Sequence, residues 1–340
     1  MSIEMAVAVT GGTGFIGQAL VTRLVNEGLP VRLITRRGSN CLLSKNLPVE
    51  TFNADLNDID SLRAGLKGCS QVYHLAALAK NFDPQPENFY RVNVEGFRSL
   101  LEAALAVGLK RVVFVSSSVV KGPSCGEPVG ESSHRPDVPF FTDYEKSKAL
   151  ADKIIDDYLD KGLEVMVARP TRVYGPGPLS EANSVTRLIK IFLKYRLCLL
   201  LNQGREIGNY VYVEDVAEGL ELIMKKGRSG EDYILGGENV SLNEFYDILE
   251  EVSGRKAIRL KISVPLALTV ARLETAKARW LGFYPFITAS WVRTFLENWA
   301  FSHQKATAEL GYKPKSLREG LRLTCEWLGY LEPRTNLARS

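Results

Sequence analysis

Apolar and polar positions along this chain follow two rhythms. Short apolar runs rich in β-branched residues read as strands buried on both faces. Longer segments with apolar residues every three or four positions read as amphipathic helices. The pattern predicts strands at Met5–Val9, at Val31–Thr35, at 49–54 (VETFNA), within QVYHLAALA from Gln71, and at RVVFVSSSVV from Arg111. It predicts a helix after the first strand with Phe15, Leu20 and Leu24 on its apolar face, and another at Ile59–Leu66. A third runs Glu87–Val107 with Phe89, Val92, Gly96, Leu100, Leu101 and Ala104 as its stripe, and a fourth lies in TDYEKSKALAD, residues 142–152. Such an order predicts an α/β fold, a Rossmann-type doubly wound and mostly parallel sheet with helices on both faces.

The last third has the same rhythms with less regular spacing. A helix and then the apolar strand LCLLL are expected over 184–201, a helix over 214–225, and a strand at YILGG. Residues 241–254 read as a helix, Ser241 and Glu244 fitting a capping box and Gly254 ending it. From Leu266 to Phe301 the chain is rich in Leu, Trp and Phe with Arg272, Lys277 and Arg279 interleaved. One account is a pair of core helices packed on the large domain; the other is a lid or mouth for a bulky apolar substrate, facing a membrane surface. KPKSLREGLRLTCEWLGY closes as an amphipathic helix. The expected organisation is a dinucleotide-binding unit over 1–178 and a smaller C-terminal α/β substrate region over 179–330, with elements returning to the large sheet around 210–226. A polar tail follows over 331–340.

Chemistry concentrates where strands end. Between the first strand and helix lie Gly11, Gly12, Gly14 and Gly17, which fit both G-x-G-x-x-G and G-x-x-G-x-x-G. In such a turn one glycine permits the reversal, one lets a pyrophosphate approach bare backbone, and one lets the helix pack closely. The helix N-terminus then offers unpaired N–H groups and its positive dipole end to phosphate. After the second strand stand Arg36 and Arg37, where an NAD site usually carries an acid for the ribose hydroxyls. Two guanidiniums there suit a 2′-phosphate and favour NADP over NAD, unless they are simply solvated surface residues. Asp55 ends the third strand, placed either to accept from an adenine amino group or to cap the helix Ile59–Leu66. Small Ala76 and Ala77 leave room for a flat cofactor, whereas His74, inside an apolar run, reads as a hydrogen-bonded core residue. Asn93 on the third helix needs a partner, either a cofactor group or a backbone carbonyl.

Ser116, Ser117 and Ser118 end the strand from Arg111, and Tyr144 and Lys148 stand four residues apart, on one face of a helix. An ammonium about 4 Å from a phenol, at an effective dielectric near 20, attracts its anion by on the order of 4 kcal/mol. Unopposed by desolvation, that lowers a tyrosine pKa by roughly 3 units and makes Tyr144 a proton donor or acceptor. The bland alternative is a surface i, i+4 pair.

Composition excludes more than it selects. With 45% apolar and 24% charged residues among 340 and a net charge of +4, nothing demands nucleic acid. Five cysteines without C-x-x-C spacing and three distant histidines give no metal centre and fit a reducing cytoplasm. No apolar run is long enough for an integral membrane segment, and no signal peptide precedes the first strand.

TGGTGFIG, Asp55, HLAA, the serine cluster, Y-x-x-x-K at Tyr144 and Lys148, RPTRVYGPG at 169–177 and YVYVEDVAEG at 210–219 occur together and in order. In this the chain resembles the extended short-chain dehydrogenase/reductases, over nearly its whole length. The resemblance implies Tyr144 as general acid/base, Lys148 as its tuner and ribose ligand, and Ser117, with Ser118 close behind, as the hydroxyl that steadies the substrate oxygen. It implies that a dinucleotide lies along Gly11, Thr13, Gly14, Phe15, Ile16, Gly17, Arg36, Arg37, Asp55, Leu56, Leu75, Ala76, Ala77, Asn93 and Ser116, with Tyr144, Lys148, Pro170 and Val173 around the nicotinamide. Members often dimerise through the helices that here contain Leu100 and Leu150, so a homodimer is the expected assembly, with a small molecule as substrate.

Three departures narrow the reaction. Val119 and Val120 replace the Asp-Glu pair of sugar dehydratases, Gly208 and Asn209 stand where many epimerases carry a diphosphate-gripping arginine, and Arg36–Arg37 replace an acid. The chain therefore most resembles the dihydroflavonol reductase and hydroxysteroid dehydrogenase branch. The expectation is an NADP-dependent oxidoreductase acting on a carbonyl or alcohol carbon. A nucleotide-sugar epimerase or dehydratase and a non-catalytic NADP-binding sensor remain the alternatives.

Overall fold

The apolar run after Glu4 folds as strand β1, Ala6–Thr10, one residue later than the pattern placed it, and every strand that pairs with it directly is parallel. The computed structural model describes residues 5–38, 46–281, 284–285 and 287–332, apart from the side chains at 279 and 281. All but two residues of the expected polar tail lie outside the described residues. The strands are β1, β2 (Val31–Thr35), β3 (Val49–Asn53), β4 (Cys69–His74), β5 (Arg111–Val115), β6 (Glu164–Pro170), β7 (Arg172–Tyr174), β8 (Leu197–Leu201), β9 (Ile207–Tyr212), β10 (Asp232–Leu235), β11 (Glu238–Ser241) and β12 (Ile258–Ile262). Seven of them make the main sheet in the order β10-β6-β5-β4-β1-β2-β3, all parallel. Strand order reverses between β1 and β4, and a crevice opens there beyond the carboxyl ends.

The main helices are α1 (Phe15–Asn26), α2 (Ile59–Leu66), α3 (Gly96–Ala106), α4 (Asp143–Lys153), α5 (Ser184–Tyr195), α6 (Val213–Lys226), α7 (Leu242–Ser253), α8 (Val264–Leu281), α9 (Ala289–Thr294), α10 (Gln304–Leu310) and α11 (Leu317–Trp327). Each sheet face has its own core. Leu20, Leu24, Val216, Leu220 and Leu310 pack on one side, and Leu62, Phe97, Leu101, Ala151 and Tyr158 on the other. Each such fully buried Leu or Val contributes about 1.5–3 kcal/mol. A third cluster, built on Ile189, Phe192, Leu200, Phe245 and Leu321, holds the C-terminal region together. There β11-β9-β7 and β12-β8 form two small sheets. The return to the large sheet runs further than 226: α6 packs on α1, and β10 joins β6 at the sheet edge.

Several local expectations are corrected. Asp55 does not cap α2; Asp58 does, accepting from the N–H groups of Asp60 and Ser61, while Asp55 accepts from Asn57. The helix expected over Glu87–Val107 is present as one continuous run to Ala106, with a π-helical turn at Arg91–Glu95 between Glu87–Tyr90 and α3. Of residues 266–301, Val292 and Trp299–Phe301 are buried as core, but the first helix is not a core helix. Among its described side chains helix α8 buries Ala267, Ala271 and Ala278, and leaves Leu266, Val270, Leu273 and Trp280 exposed. Of the two helices expected to pair copies of the chain, α3 has Leu100 fully buried in its own core, whereas Leu150 on α4 is exposed. Among the described residues no helix is long and apolar enough to cross a membrane.

Candidate active site

The glycine turn divides its labour as the spacing predicts. Gly11 has φ +70°, and a Cβ there would sit 2.5 Å from the Ala76 nitrogen, so the turn lies directly against the end of β4. A Cβ on Gly17 would fall within 2.2 Å of the Gly11 oxygen, which holds α1 against the turn only if that side chain is absent. Gly14 is exposed, and a Cβ there would meet only the Gly11 oxygen, at 3.2 Å, leaving the backbone open to a ligand. Gly14 is also the N-cap of α1 and supplies no side-chain cap to the first N–H groups, beside half-exposed Thr13 and Ile16. Phosphate oxygens fit this cradle: it offers bare backbone, open N–H donors and the positive end of a helix. Phe15 is buried, with Gly177 packed over its ring and Val173 in the same cluster.

Around the cradle the other strand ends converge. Thr10 accepts from or donates to His74 Nδ1 at 2.7 Å, and the Leu75 N–H donates to the Thr10 carbonyl at 3.1 Å. His74 stacks on Phe97 and Phe114, and burial first, then the Lys148 charge, drives its pKa down to about 3. It is the neutral core histidine expected. Leu75, Ala76 and Ala77 line the strand end half-exposed. Arg36 and Arg37 are exposed just past β2, and Asp55 is exposed past β3. Leu56 packs under Gly96, where a Cβ would approach its own to 2.9 Å. Pro170 ends β6, buried.

Two expected cofactor contacts have their side chains engaged elsewhere. Asn93, in the π-helical turn, accepts from the Leu78 N–H at 2.7 Å and donates to the Leu78 carbonyl and, at 2.9 Å, to Ser147 Oγ. It ties the loop after β4 to α4, so the partner its burial demands is protein backbone. The Ser116 hydroxyl donates to Asp152 at 2.7 Å and accepts from Arg169 at 3.3 Å. Arg169, itself buried, also reaches Asp152 at 2.6 Å and Asp232 at 2.5 Å. This ion cluster locks β5, α4, β6 and β10 together beneath the site. Sequence reasoning missed it, as it missed Ser147, because partners so far apart in the chain leave no local signal.

Tyr144 and Lys148 lie in the first turns of α4, which Thr142 caps by accepting from the Glu145 N–H. Tyr144 is half-buried, and Ser117 stands beside its phenol. Ser117 is the N-cap of the single 3₁₀ turn Ser118–Lys121, whereas Ser118 is buried. Ser117 is thus the serine beside the phenol. Lys148 is 2% exposed, donates to the Val115 carbonyl at 2.8 Å and lies 4.8 Å over the Phe114 ring.

The electrostatics overturn one expectation. Burial pushes the Tyr144 phenol up, to about 12, against the lowering effect of its Ser117 bond, and Lys148 is not among the groups that lower it. Burial also pulls Lys148 down to about 8, despite the Asp152 charge. Desolvation thus outweighs the attraction computed for the pair, because the ammonium points to backbone. At neutral pH the site holds a protonated phenol and a mostly protonated lysine. That is the form able to give a proton away. Next to it burial lifts Glu145 to about 7, although its carboxylate accepts from the Phe141 N–H at 3.0 Å.

Neither Gly208 nor Asn209, where many sugar epimerases carry a diphosphate-gripping arginine, supplies a guanidinium. Asn209 is buried and accepts from Thr171 and the Gly237 N–H while donating to Gly237, Asn239 and Phe301. The space left by Gly208 is filled by the Arg172 guanidinium, which a Cβ would meet at 2.5 Å. Among the described residues no cluster of His, Cys, Asp or Glu could hold a metal ion.

Comparison with known proteins places these features in a context. The sequence pattern of the NAD dependent epimerase/dehydratase family matches residues 7–236. A putative dihydroflavonol 4-reductase of Synechocystis is 31% identical, covering 95% of each chain. Sterol demethylase protein B of Methylococcus capsulatus is 31% identical over 95% of this chain and 98% of its own. The crystal structure of the Thermus thermophilus UDP-glucose 4-epimerase in complex with NAD superposes with TM-score 0.75 at 27% identity, covering 96% of this chain and all of that one.

Proposed function

The chain belongs to the NAD dependent epimerase/dehydratase family, and from that premise we propose that it is an NADP-dependent oxidoreductase acting on a carbonyl or alcohol carbon of an apolar substrate. One observation carries the reading: Tyr144 beside Ser117 and one helical turn from buried Lys148, at the strand ends that flank the open glycine cradle. When bound, a nicotinamide dinucleotide supplies or takes the hydride. The residues of the chain supply position and the proton. Ser117 donates to the substrate oxygen and holds it beside the phenol. Tyr144 gives that oxygen its proton in reduction and takes it in oxidation. Lys148, protonated below about pH 8, would hold the nicotinamide ribose beside the phenol. Exposed Arg36 and Arg37 would hold a 2′-phosphate, while the N–H groups of α1 hold the pyrophosphate. The two 31% identical relatives, a putative dihydroflavonol 4-reductase and sterol demethylase protein B, support a bulky apolar substrate.

The second reading, a sugar-nucleotide epimerase, is favoured by the NAD-bound neighbour, but Asn209 and Gly208 are committed to packing and offer no phosphate ligand. Stoichiometry separates the two. With a ketone of the dihydroflavonol or 3-oxosteroid type, the wild type is expected to oxidise one NADPH per product. Tyr144→Phe should lower kcat at least about 10²-fold while NADPH binding, followed by fluorescence, is nearly unchanged. Interconversion of UDP-sugars without net NADPH consumption would reverse the assignment.

A further inference from the structure

Helix α8 presents an unpartnered apolar face. Leu266, Val270, Leu273 and Trp280 are 56, 41, 66 and 87% exposed. With Lys277 they recur at intervals of four and three, so they form one stripe along the helix. On the opposite face Ala267 and Ala271, with half-buried Leu268, pack against Val292 and the end of β12, and Ala278 is buried further along. A core helix has the reverse arrangement, large residues inward. Strand β12, which runs straight into α8, leaves Ile258 and Leu260 exposed as well. Charge is as uneven as polarity: residues 255–281 hold seven Lys and Arg and one Glu, whereas the whole chain nets only +4. The rest of the molecule is therefore net negative. Part of that charge is neutralised, Lys256 and Arg259 by Glu250 and Asp247. Lys261 and Arg272 are exposed, and Lys277 lies 3.8 Å from Glu274 in the middle of the apolar stripe.

We propose that α8 lies in the surface of an anionic lipid bilayer, its Leu266–Trp280 stripe sunk to the level of the acyl chains and its cations at the headgroups. A long apolar stripe, interleaved lysine and arginine and a solvent-facing tryptophan are what an in-plane helix requires. The charge selects this occupant over a second copy of the chain, because pairing two α8 helices would oppose Lys277 and Arg272 to their own likes, across a seam of barely two heptads. Past the helix, the Tyr284 hydroxyl accepts from the Phe82 N–H at 3.2 Å and pairs with Glu181. The docking face is thereby fastened to the loop that follows Ala77 at the rim of the site. Docking itself does not depend on which reaction that site performs.

The test is co-sedimentation of the full chain with vesicles of phosphatidylglycerol and phosphatidylcholine in equal parts, against vesicles of phosphatidylcholine alone. Binding is expected to the mixed vesicles, to weaken as salt rises, and to fall at least about tenfold in Leu273→Glu/Trp280→Glu. That variant should keep the wild-type unfolding midpoint and its turnover of a water-soluble carbonyl compound. Arg272→Glu/Lys277→Glu, which leaves the apolar stripe in place, should erase the preference for phosphatidylglycerol. The proposal is overturned by equal partitioning to both vesicles, by binding that both variants retain, or by a wild-type dimer that Leu273→Glu converts to monomer.

Discussion

At Tyr144 and Lys148 two physical effects compete, and burial prevails. The spacing of the pair promised a phenol made acidic by its neighbour. Instead, the phenol is raised to about 12 and the lysine lowered to about 8. For kcat/KM of carbonyl reduction, the sign follows from which form acts. The ammonium exists below about 8 and is lost as pH rises through that value, while the phenol keeps its proton throughout. The rate should therefore be level from pH 6 to 7 and fall above about 8, and Lys148→Arg, which cannot titrate there, should remove the fall. A wild-type profile level to pH 10 would show that no lysine charge is needed. The same shift makes the unfolded chain bind the extra proton between about 8 and the ordinary 10.5, so this residue's contribution to stability grows with pH in that window. Residue types and spacing were legible here because a helix fixes i and i+4 on one face. The pKa directions were not, since they depend on the Val115 carbonyl and on enclosure by distant segments.

Elements were legible where their signals are local. Ser241 and Glu244 form the capping box and Gly254 takes the left-handed C-cap at φ 65°, because all three act within one turn of backbone. The π-helical turn at Arg91–Glu95 was not legible, nor was the capping of α2 by Asp58 in place of Asp55. Asn93's bonds to Leu78 and Ser147 join elements that a linear reading keeps apart. The arginine beneath α4 belongs to the same class. Arg169 neutralises Asp152 on α4 and Asp232 on β10 from a buried position, and Lys121 lies 3.2 Å from Asp232. Burial alone would raise Asp232, but Arg169 and Lys121 hold it below the usual carboxylate range. Arg169→Met leaves two half-buried carboxylates facing an apolar stem, and urea unfolding should report a loss of about 3 kcal/mol, the low end for a pair broken in the interior. Adding Asp152→Asn and Asp232→Asn should recover part of it. A loss below about 1 kcal/mol would mean that water or the lysines already solvate these acids.

Across the whole molecule, the alternation of strand and helix was enough to give the parallel sheet, and the glycine turn to place its crevice. What α8 packs against was not legible, because Leu and Trp at helical spacing look the same whether they face a core or a bilayer. Cofactor choice is also read best at this scale, since a ligand that binds only the folded chain raises its melting point. At 100 times its Kd, NADPH should add roughly 2.7 kcal/mol, and at equal concentration NADH should add less. In Arg36→Glu/Arg37→Glu that order should reverse; identical shifts by both dinucleotides in the wild type would remove the case for a 2′-phosphate clamp.

The late return of the chain to its first sheet bears on biosynthesis. Helix α6 covers α1, and β10 completes the sheet edge, only after the detour through β7, β8 and β9. A ribosome must therefore finish residue 235 before the glycine cradle has its full support. Until then, the apolar sides of α1 and β6 are left for a chaperone to shield.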